Sequence, residues 1–200
     1  MLSILPDLPP HLAQGICGPE NASREHLVAI RFANEPSFLQ DDRIPGPRGC
    51  AMKVFDVDGK YLDAVGDETR TQDFTFNNAP VLELRNVSTT VEIFRIRAKH
   101  FREPEKIGPE VQRRKDASLQ MAPAQLPNQH FLSYTMYSQS AYRWGDHVCK
   151  YTLFPATEMQ QELEKEAKIA DDADPGQHSI WLREYFQDHD AIYDFKVQIC

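Results

Sequence analysis

Two clusters of aspartates are the residues whose type and spacing first suggest chemistry: Asp41-Asp42, and Asp171-Asp172 with Asp174. Carboxylates at such close spacing bind hard divalent cations, which would make the chain a metal-dependent hydrolase or nuclease. Neither cluster comes with the spaced histidine or glutamate ligands that such an enzyme needs. We therefore interpret both clusters as solvated charge, at a loop and at the end of a helix.

The histidines and cysteines also lack the spacing of a metal or redox site. No two of the seven histidines are spaced as HxxxH or HxH, so we predict no zinc site. The four cysteines form no CxxC pair and are widely separated, at Cys17, Cys50, Cys149 and Cys200. We expect reduced, mostly buried thiols rather than disulfides.

Length and charge narrow the class of protein. The chain has 200 residues, of which 41% are hydrophobic, and we predict a single domain over residues 1–200. A net charge of -8 repels phosphate backbones, which argues against a nucleic-acid partner. No apolar run has the length of a membrane span or a signal peptide, so we expect an intracellular, cytoplasmic protein without a membrane partner.

The elements that must position any site are mostly strands. Apolar residues that alternate with polar ones predict strands over 26–32, 50–57, 73–77, 146–154 and 192–200. A further strand is expected at 81–85, beyond Pro80. Asp58-Gly59 predicts a hairpin turn that leads into Tyr61-Leu62, because both turn residues tolerate positive φ.

Helical spacing follows the first group of strands. We predict a helix over 87–101, capped by Asn86 or Ser88, and an exposed helix from Thr157 to about residue 170, where Thr157 and Gln160 form a capping box. A third helix is expected over 179–187. The segment 102–128 is charged and proline-rich, typical of a long functional or mobile connection. The fold class is therefore α+β, an antiparallel β-barrel, incomplete in this chain, with helical insertions.

Several short motifs, in order along the chain, resemble those of the catalase superfamily and of its small, divergent catalase-like branch. Each motif is weak alone, and their common order carries the resemblance. They are Leu5-Pro6-Asp7-Leu8-Pro9, Ile30-Arg31-Phe32-Ala33-Asn34, Pro47-Arg48-Gly49-Cys50, Thr71-Gln72-Asp73-Phe74, Asn77-Asn78-Ala79-Pro80-Val81, Tyr142-Arg143-Trp144-Gly145-Asp146 and Tyr193-Asp194-Phe195.

The resemblance implies a haem b cofactor and an oxidoreductase that acts on hydrogen peroxide or organic hydroperoxides, including roles in secondary-metabolite pathways. Arg31 matches the arginine that binds a haem propionate. Asn77 matches the distal asparagine that orients the peroxide, and Asn78 is the other candidate for that role. From the residues alone, Arg31 is equally an ordinary solvent-facing arginine, and the two asparagines equally make the turn before Pro80.

The chain also departs from the family pattern. The family's distal histidine and its proximal tyrosine, the axial ligand of the haem iron, have no counterpart here, and we expect a chain shortened at both ends. His11 and His26 are not substitutes. Two alternatives stay open: a catalase-like haem oxidoreductase, and a non-catalytic, haem-free barrel that binds a small molecule or is a remnant. In both, unpaired strand edges, including 192–200, predict homo-oligomers.

Overall fold

A mixed α+β architecture is described by the computed structural model over residues 1–34, 40–59 and 70–200. Within these ranges a seven-stranded antiparallel sheet stands beside a short two-stranded pair. The strands are β1 Leu2–Ser3, β2 Glu25–His26, β3 Val28–Asn34, β4 Arg48–Val54, β5 Gln72–Asn77, β6 Met136–Tyr137, β7 Tyr142–Trp144, β8 His147–Pro155 and β9 Tyr193–Ile199.

Strand β8 organises the second half of the sheet. β3, β4, β5 and β6 pair in sequence order, and β6 and β7 pair along one edge of β8 while β9 pairs along the other. All of these pairings are antiparallel. In the described ranges β3 and β9 do not pair with each other, so this part of the chain forms an open sheet. The predicted antiparallel α+β fold is confirmed, and no closed barrel is formed by these residues.

One face of the sheet carries the core. The residues of β4 alternate between buried and half-buried, because successive side chains of a strand point to opposite faces. Phe74 of β5 meets Tyr151 at a centroid distance of 5.3 Å and Phe195 at 5.1 Å, in edge-to-face geometry. This face therefore brings together residues from β5, β8 and β9 that are distant in sequence.

The α-helices of the described ranges all follow β5 along the chain. They are α1 Val87–Lys99, α2 Ile107–Val111, α3 Ala117–Met121, α4 Glu158–Glu166 and α5 Gln177–Asp188. Asn86 caps α1, since its Oδ1 accepts from the backbone N–H of Thr89 at 3.0 Å. Thr157 caps α4, as predicted, since its Oγ1 accepts from the backbone N–H of Gln160 at 3.2 Å. The Gln160 Oε1 accepts instead from the Thr157 hydroxyl and the Ile192 N–H, so the reciprocal bond of the predicted capping box is not formed.

Three predictions about local structure can be compared with the structure. Residues 81–85 do not form a strand. They belong to the connection between the turn that Asn77 starts and the first residue of α1. The segment 102–128 is not a structureless connection, because α2 and α3 lie within it. Tyr61-Leu62, the predicted second strand of the hairpin, lies outside the described residues. Gly59 of the predicted turn has a positive φ, 145°.

Most of the apolar side chains in the predicted stripe of helix α1 are exposed to solvent. Ile93 is its one buried residue, while Phe94 is 54% exposed and Phe101, just beyond the helix, is 73% exposed. Val87 and Val91, which belong to the same predicted stripe, are exposed as well. The apolar periodicity thus correctly predicts a helix, but it does not mark which of the residues of that helix are buried.

Candidate functional site

Arg31 and Asn77 share one face of the sheet, opposite the core. Arg31 of β3 pairs with Ala51, and Asn77 of β5 pairs with Gly49, two residues away on the same strand β4. Directly paired residues, and residues two apart on one strand, lie on the same face. The structure therefore brings together two of the three predicted site residues on what we call the outer face, the side of β3–β5 that carries Arg31, Gly49, Ala51 and Asn77.

The outer face is built mainly from small side chains. Ala33, Gly49 and Ala51 lie between Arg31 and Asn77, whereas Thr75 and the exposed ion pair of Lys53 with Asp73 occupy the neighbouring positions of the same face. Asn77 accepts a hydrogen bond at Oδ1 from the backbone N–H of Ala79 at 2.9 Å, which leaves its Nδ2 hydrogens as the donors. Arg31 is exposed. A flat ligand can approach this backbone closely and meet a cation and an amide.

Asn78 lies on the other side, in the interior. Its Oδ1 accepts from the backbone N–H of Arg48 at 2.9 Å, and its own N–H donates to the Arg48 carbonyl at 3.0 Å. Its Nδ2 is buried and has no hydrogen-bond partner among the described residues. Asn78 therefore braces the start of β4 and does not join Asn77 on the outer face.

The guanidinium of Arg48 is fully buried and is held by neutral acceptors. It donates to Asn34 Oδ1 at 3.0 Å, to the Ile44 carbonyl at 2.9 Å and to Asn128 Oδ1 at 2.9 Å. The Asp42 carbonyl accepts a longer bond of 3.3 Å. Through these bonds Arg48 braces the loop before β4. Its Nε has no partner in the described part of the chain.

Asp42 corrects the interpretation of its cluster as solvated charge. It is only 5% exposed, and its carboxylate accepts from Asn34 Nδ2 at 2.7 Å and from the backbone N–H of His178 at 2.9 Å. Asp41 differs, because Arg43 pairs with it at the surface and holds the pKa of that carboxyl below its usual range. The sequence alone does not distinguish Asp42 from Asp41, since His178, which donates to the Asp42 carboxylate, lies 136 residues away.

Two buried histidines surround a tryptophan next to this network. The ring of His130 stacks on Trp181 at a centroid distance of 5.4 Å, and the ring of His178 packs against Phe131 at 4.8 Å. Burial, reinforced by the charge of Arg48, lowers the pKa of His178 to about 4. Neither ring nitrogen of His178 has a partner among the described residues. Sequence reasoning missed both histidines, whose neighbours come from a different element.

The tyrosines and cysteines bear on whether these residues suit a haem iron. Burial is the main cause that raises the pKa of the phenols at Tyr134, Tyr151, Tyr185 and Tyr193, so all four stay protonated near neutral pH. Burial also raises the pKa of the Cys50 thiol to about 12. All four cysteines are free, as predicted. An anionic axial ligand is favoured at none of these five positions.

A separate groove of about 470 Å³ lies between the loop that precedes β4 and the segment from α1 to α3. Pro45 and Pro47 line one side, and Phe94 and Phe101 line the other. The groove is thus bounded by the exposed apolar stripe of α1.

No protein-family model and no curated protein matches this chain. In the described ranges no cluster of three histidine, cysteine or acidic side chains is arranged to hold a metal ion. The helices of those ranges also fall short of the length and apolarity that a bilayer crossing requires.

Proposed function

We propose that this chain is a catalase-like haem protein that acts on hydrogen peroxide or an organic hydroperoxide, with its haem against the outer face of β3–β5. The observation that carries the proposal is the shared face of Arg31 and Asn77, which the ordered catalase-like motifs had named separately. A bound haem b would supply the redox chemistry.

In this proposal each residue has a separate task. Arg31 pairs its guanidinium with a haem propionate, an interaction in which charge-assisted hydrogen bonds fix orientation. The row of small residues from Ala33 to Ala51 lets a planar group lie close to the backbone. Asn77 donates an amide hydrogen to a peroxide oxygen, and the bond from Ala79 to its Oδ1 keeps that amide oriented.

The fit of the chain to a haem is partial. Arg31 and Asn77 suit the propionate and the peroxide, but the buried tyrosines are held as neutral phenols and do not suit the iron as phenolates. This observation favours a second candidate, a haem-free protein that binds a small molecule.

Haemin titration separates the two candidates. We expect saturable binding at one haem per chain with a sharp Soret band, and a loss of affinity of about tenfold in Arg31→Ala, because a charge-assisted hydrogen bond contributes about 1.5–3 kcal/mol. Arg183→Ala, an exposed arginine on α5, is the matched control and should bind as the native chain does.

The role of Asn77 is tested by peroxide turnover of the haem-loaded chain. Asn77→Ala should reduce turnover without changing haemin affinity, since it touches the peroxide and not the cofactor. A native chain that shifts the haemin spectrum no more than a control protein without a haem site does, or an Arg31→Ala variant with native affinity, would contradict the haem proposal and support the haem-free candidate.

A further inference from the structure

Strand β9 has one edge that no other described strand covers. It pairs with β8 along one side over all seven of its residues, and its other side has no partner strand in the described ranges. Such an edge presents a row of backbone N–H and C=O groups that can pair with a further strand. The edge lies at the opposite end of the sheet from β3, so its use is independent of the haem proposal.

The hydrogen bonds to β8 show which residues of β9 face this free edge. In an antiparallel pair, directly opposed residues alternate between pairs that exchange backbone hydrogen bonds and pairs that do not. Cys200 donates to the Val148 carbonyl at 2.8 Å, just beyond one end of β9. Ala156 donates to the Ile192 carbonyl at 2.9 Å, just beyond the other end. The even-numbered residues of β9 therefore bond with β8, and the free edge belongs to the odd-numbered residues, which are Tyr193, Phe195, Val197 and Ile199.

The sequence of β9 is complementary to itself in one antiparallel register. When two copies of the strand pair about a two-fold axis at Phe195, Asp194 of each copy stands opposite Lys196 of the other. Phe195 then pairs with its own copy and Tyr193 with Val197, and all three residues belong to the free edge. Their backbone groups can exchange hydrogen bonds. Asp194 and Lys196 form the pairs without hydrogen bonds, in which opposed residues come closest.

The neighbouring registers lack this match of charge. A two-fold axis at Lys196 places the two lysines directly opposite each other, and like charges at opposed positions destabilise a strand pair. An axis at Val197 places Lys196 opposite Gln198 and leaves it without an anion. Charge therefore selects the register centred on Phe195.

Both charged side chains are accessible for this pairing. Asp194 and Lys196 are 56% and 55% exposed, and within one chain they form an ion pair of 3.6 Å. An exposed pair at that distance contributes little, because water screens it. The ammonium of Lys196 also lies 4.0 Å from the centroid of the Phe154 ring, on the face of the sheet that carries Asp194. Neither contact removes the charges from solvent.

We propose that two copies of this chain form a symmetric dimer by antiparallel pairing of their β9 strands, in the register centred on Phe195. The backbone groups of the free edges provide the ladder that joins the two sheets. The two reciprocal pairs of Asp194 with Lys196 fix the register. The homo-oligomer expected from open strand edges thus acquires one edge and one geometry.

Sedimentation velocity of the haem-free chain over a concentration series tests the dimer, and we expect a monomer–dimer equilibrium. Asp194→Lys should raise the dissociation constant of the dimer about tenfold or more, because both reciprocal pairs become like-charged. Asp194→Lys combined with Lys196→Asp should restore the native dissociation constant, because the exchange keeps opposite charges in both pairs. Glu184→Lys, the same change of charge at an exposed position of α5, is the control and should dimerise as the native chain does.

Residue-resolved hydrogen exchange identifies the edge that pairs. The amides of Phe195 and Val197 should exchange more slowly as the native chain dimerises, and should stay unprotected in Asp194→Lys. The amide of Lys196 faces β8 and should be protected in both, which shows that β9 is folded in the variant as well.

A native chain that stays monomeric at every concentration would overturn the proposal. A dimer in which the amides of Phe195 and Val197 exchange as fast as in the monomer would overturn it too, since the contact would then lie elsewhere. A dimer that Asp194→Lys leaves unchanged, or that the double exchange of charges does not restore, would contradict the register. The haem proposal is not affected by any of these results, because the experiments involve neither haemin nor Arg31.

Discussion

Most apolar side chains of the sheet face a common core, whereas most of those on helix α1 are exposed, and Phe94 among them lines the groove. Phe74 of β5 is 5% exposed among the rings of β8 and β9, and Phe94 of α1 is 54% exposed. The two residues have the same side chain and belong to equally clear periodic patterns. Periodicity reports the kind of element, and only the partners across space determine which side of it is buried.

The segment from α1 to α3 is held mainly by polar contacts at its surface. Lys99 pairs with Glu110 at 2.9 Å, and Arg114 pairs with Glu92 and Asp116 at 2.8 Å. Lys99 and Glu92 are exposed, so water screens their ion pairs and these contribute little to stability, whereas Arg114 and Asp116 are half-buried. We therefore expect the segment to open more readily than the sheet.

The largest expected effect contrasts the two phenylalanines. Phe74→Ala should lower the free energy of unfolding by about 3–5 kcal/mol, because it leaves a cavity among well-packed rings. Phe94→Ala should change it by less than about 0.5 kcal/mol. Urea denaturation of both variants measures the two values, and equal losses would remove the distinction between the regions.

A variant of Arg48 tests whether the buried hydrogen bonds at the start of β4 contribute as much to the free energy of unfolding as the aromatic rings of the core do. Arg48→Met should cost about 3 kcal/mol, since Asn34, Ile44 and Asn128 lose a buried donor. Arg143→Met is the control, because that side chain is exposed and should matter little. An unfolding free energy unchanged by Arg48→Met would mean that this network contributes nothing to the stability of the sheet.

His178 extends the comparison to pH. Its folded pKa of about 4 lies below its ordinary value of 6.5, so the unfolded chain takes up the proton first as the pH falls. Its contribution is complete above pH 6.5 and is lost as the pH falls toward 4, with a slope of at most about 1.4 kcal/mol per pH unit.

Replacement of the ring tests that slope. His178→Phe keeps an aromatic ring at a site where neither ring nitrogen has a described partner, and should flatten the pH dependence of urea unfolding between 6.5 and 4. His11→Phe, at an exposed position, should preserve the native slope. If both variants keep the native slope, burial and the charge of Arg48 do not lower the pKa of His178 as we describe.

The smallest expected effect concerns the cap of α1. Asn86→Ala should lower stability by about 1 kcal/mol and speed hydrogen exchange in the first turn of α1, because Thr89 loses its acceptor. Ser88→Ala should have no such effect, although sequence alone allows either residue as the cap. Faster exchange throughout the sheet in Asn86→Ala would show that the two regions open together.

The elements that sequence predicts well are those with local causes. Half-buried and exposed residues alternate over the whole length of strand β9. The pair of Thr157 and Gln160 predicts where α4 begins. The exposed side of α1 and the short helices α2 and α3 depend on neighbours that no local pattern contains. Residues 81–85 have strand propensity but no strand beside them, so propensity alone does not form a ladder there.

The candidate sites divide in the same way. Motif order placed Arg31 and Asn77 among the important residues, and the register of β3, β4 and β5 places them on one face. The roles of three buried-network residues could not be predicted, because each depends on a hydrogen bond to a residue that is distant in sequence. These residues are Asp42, Asn128 and His178. The groove requires the same kind of long-range information.

The stack of His130 on Trp181 makes the chain its own optical reporter. The protein has two tryptophans, and the other, Trp144, donates to the Leu12 carbonyl at 2.9 Å within the sheet core. A protonated imidazole quenches the fluorescence of an indole against which it stacks. Acidification should therefore dim the emission of Trp181 while Trp144 still emits, so a single spectrum reads the environment of α5 separately from that of the sheet.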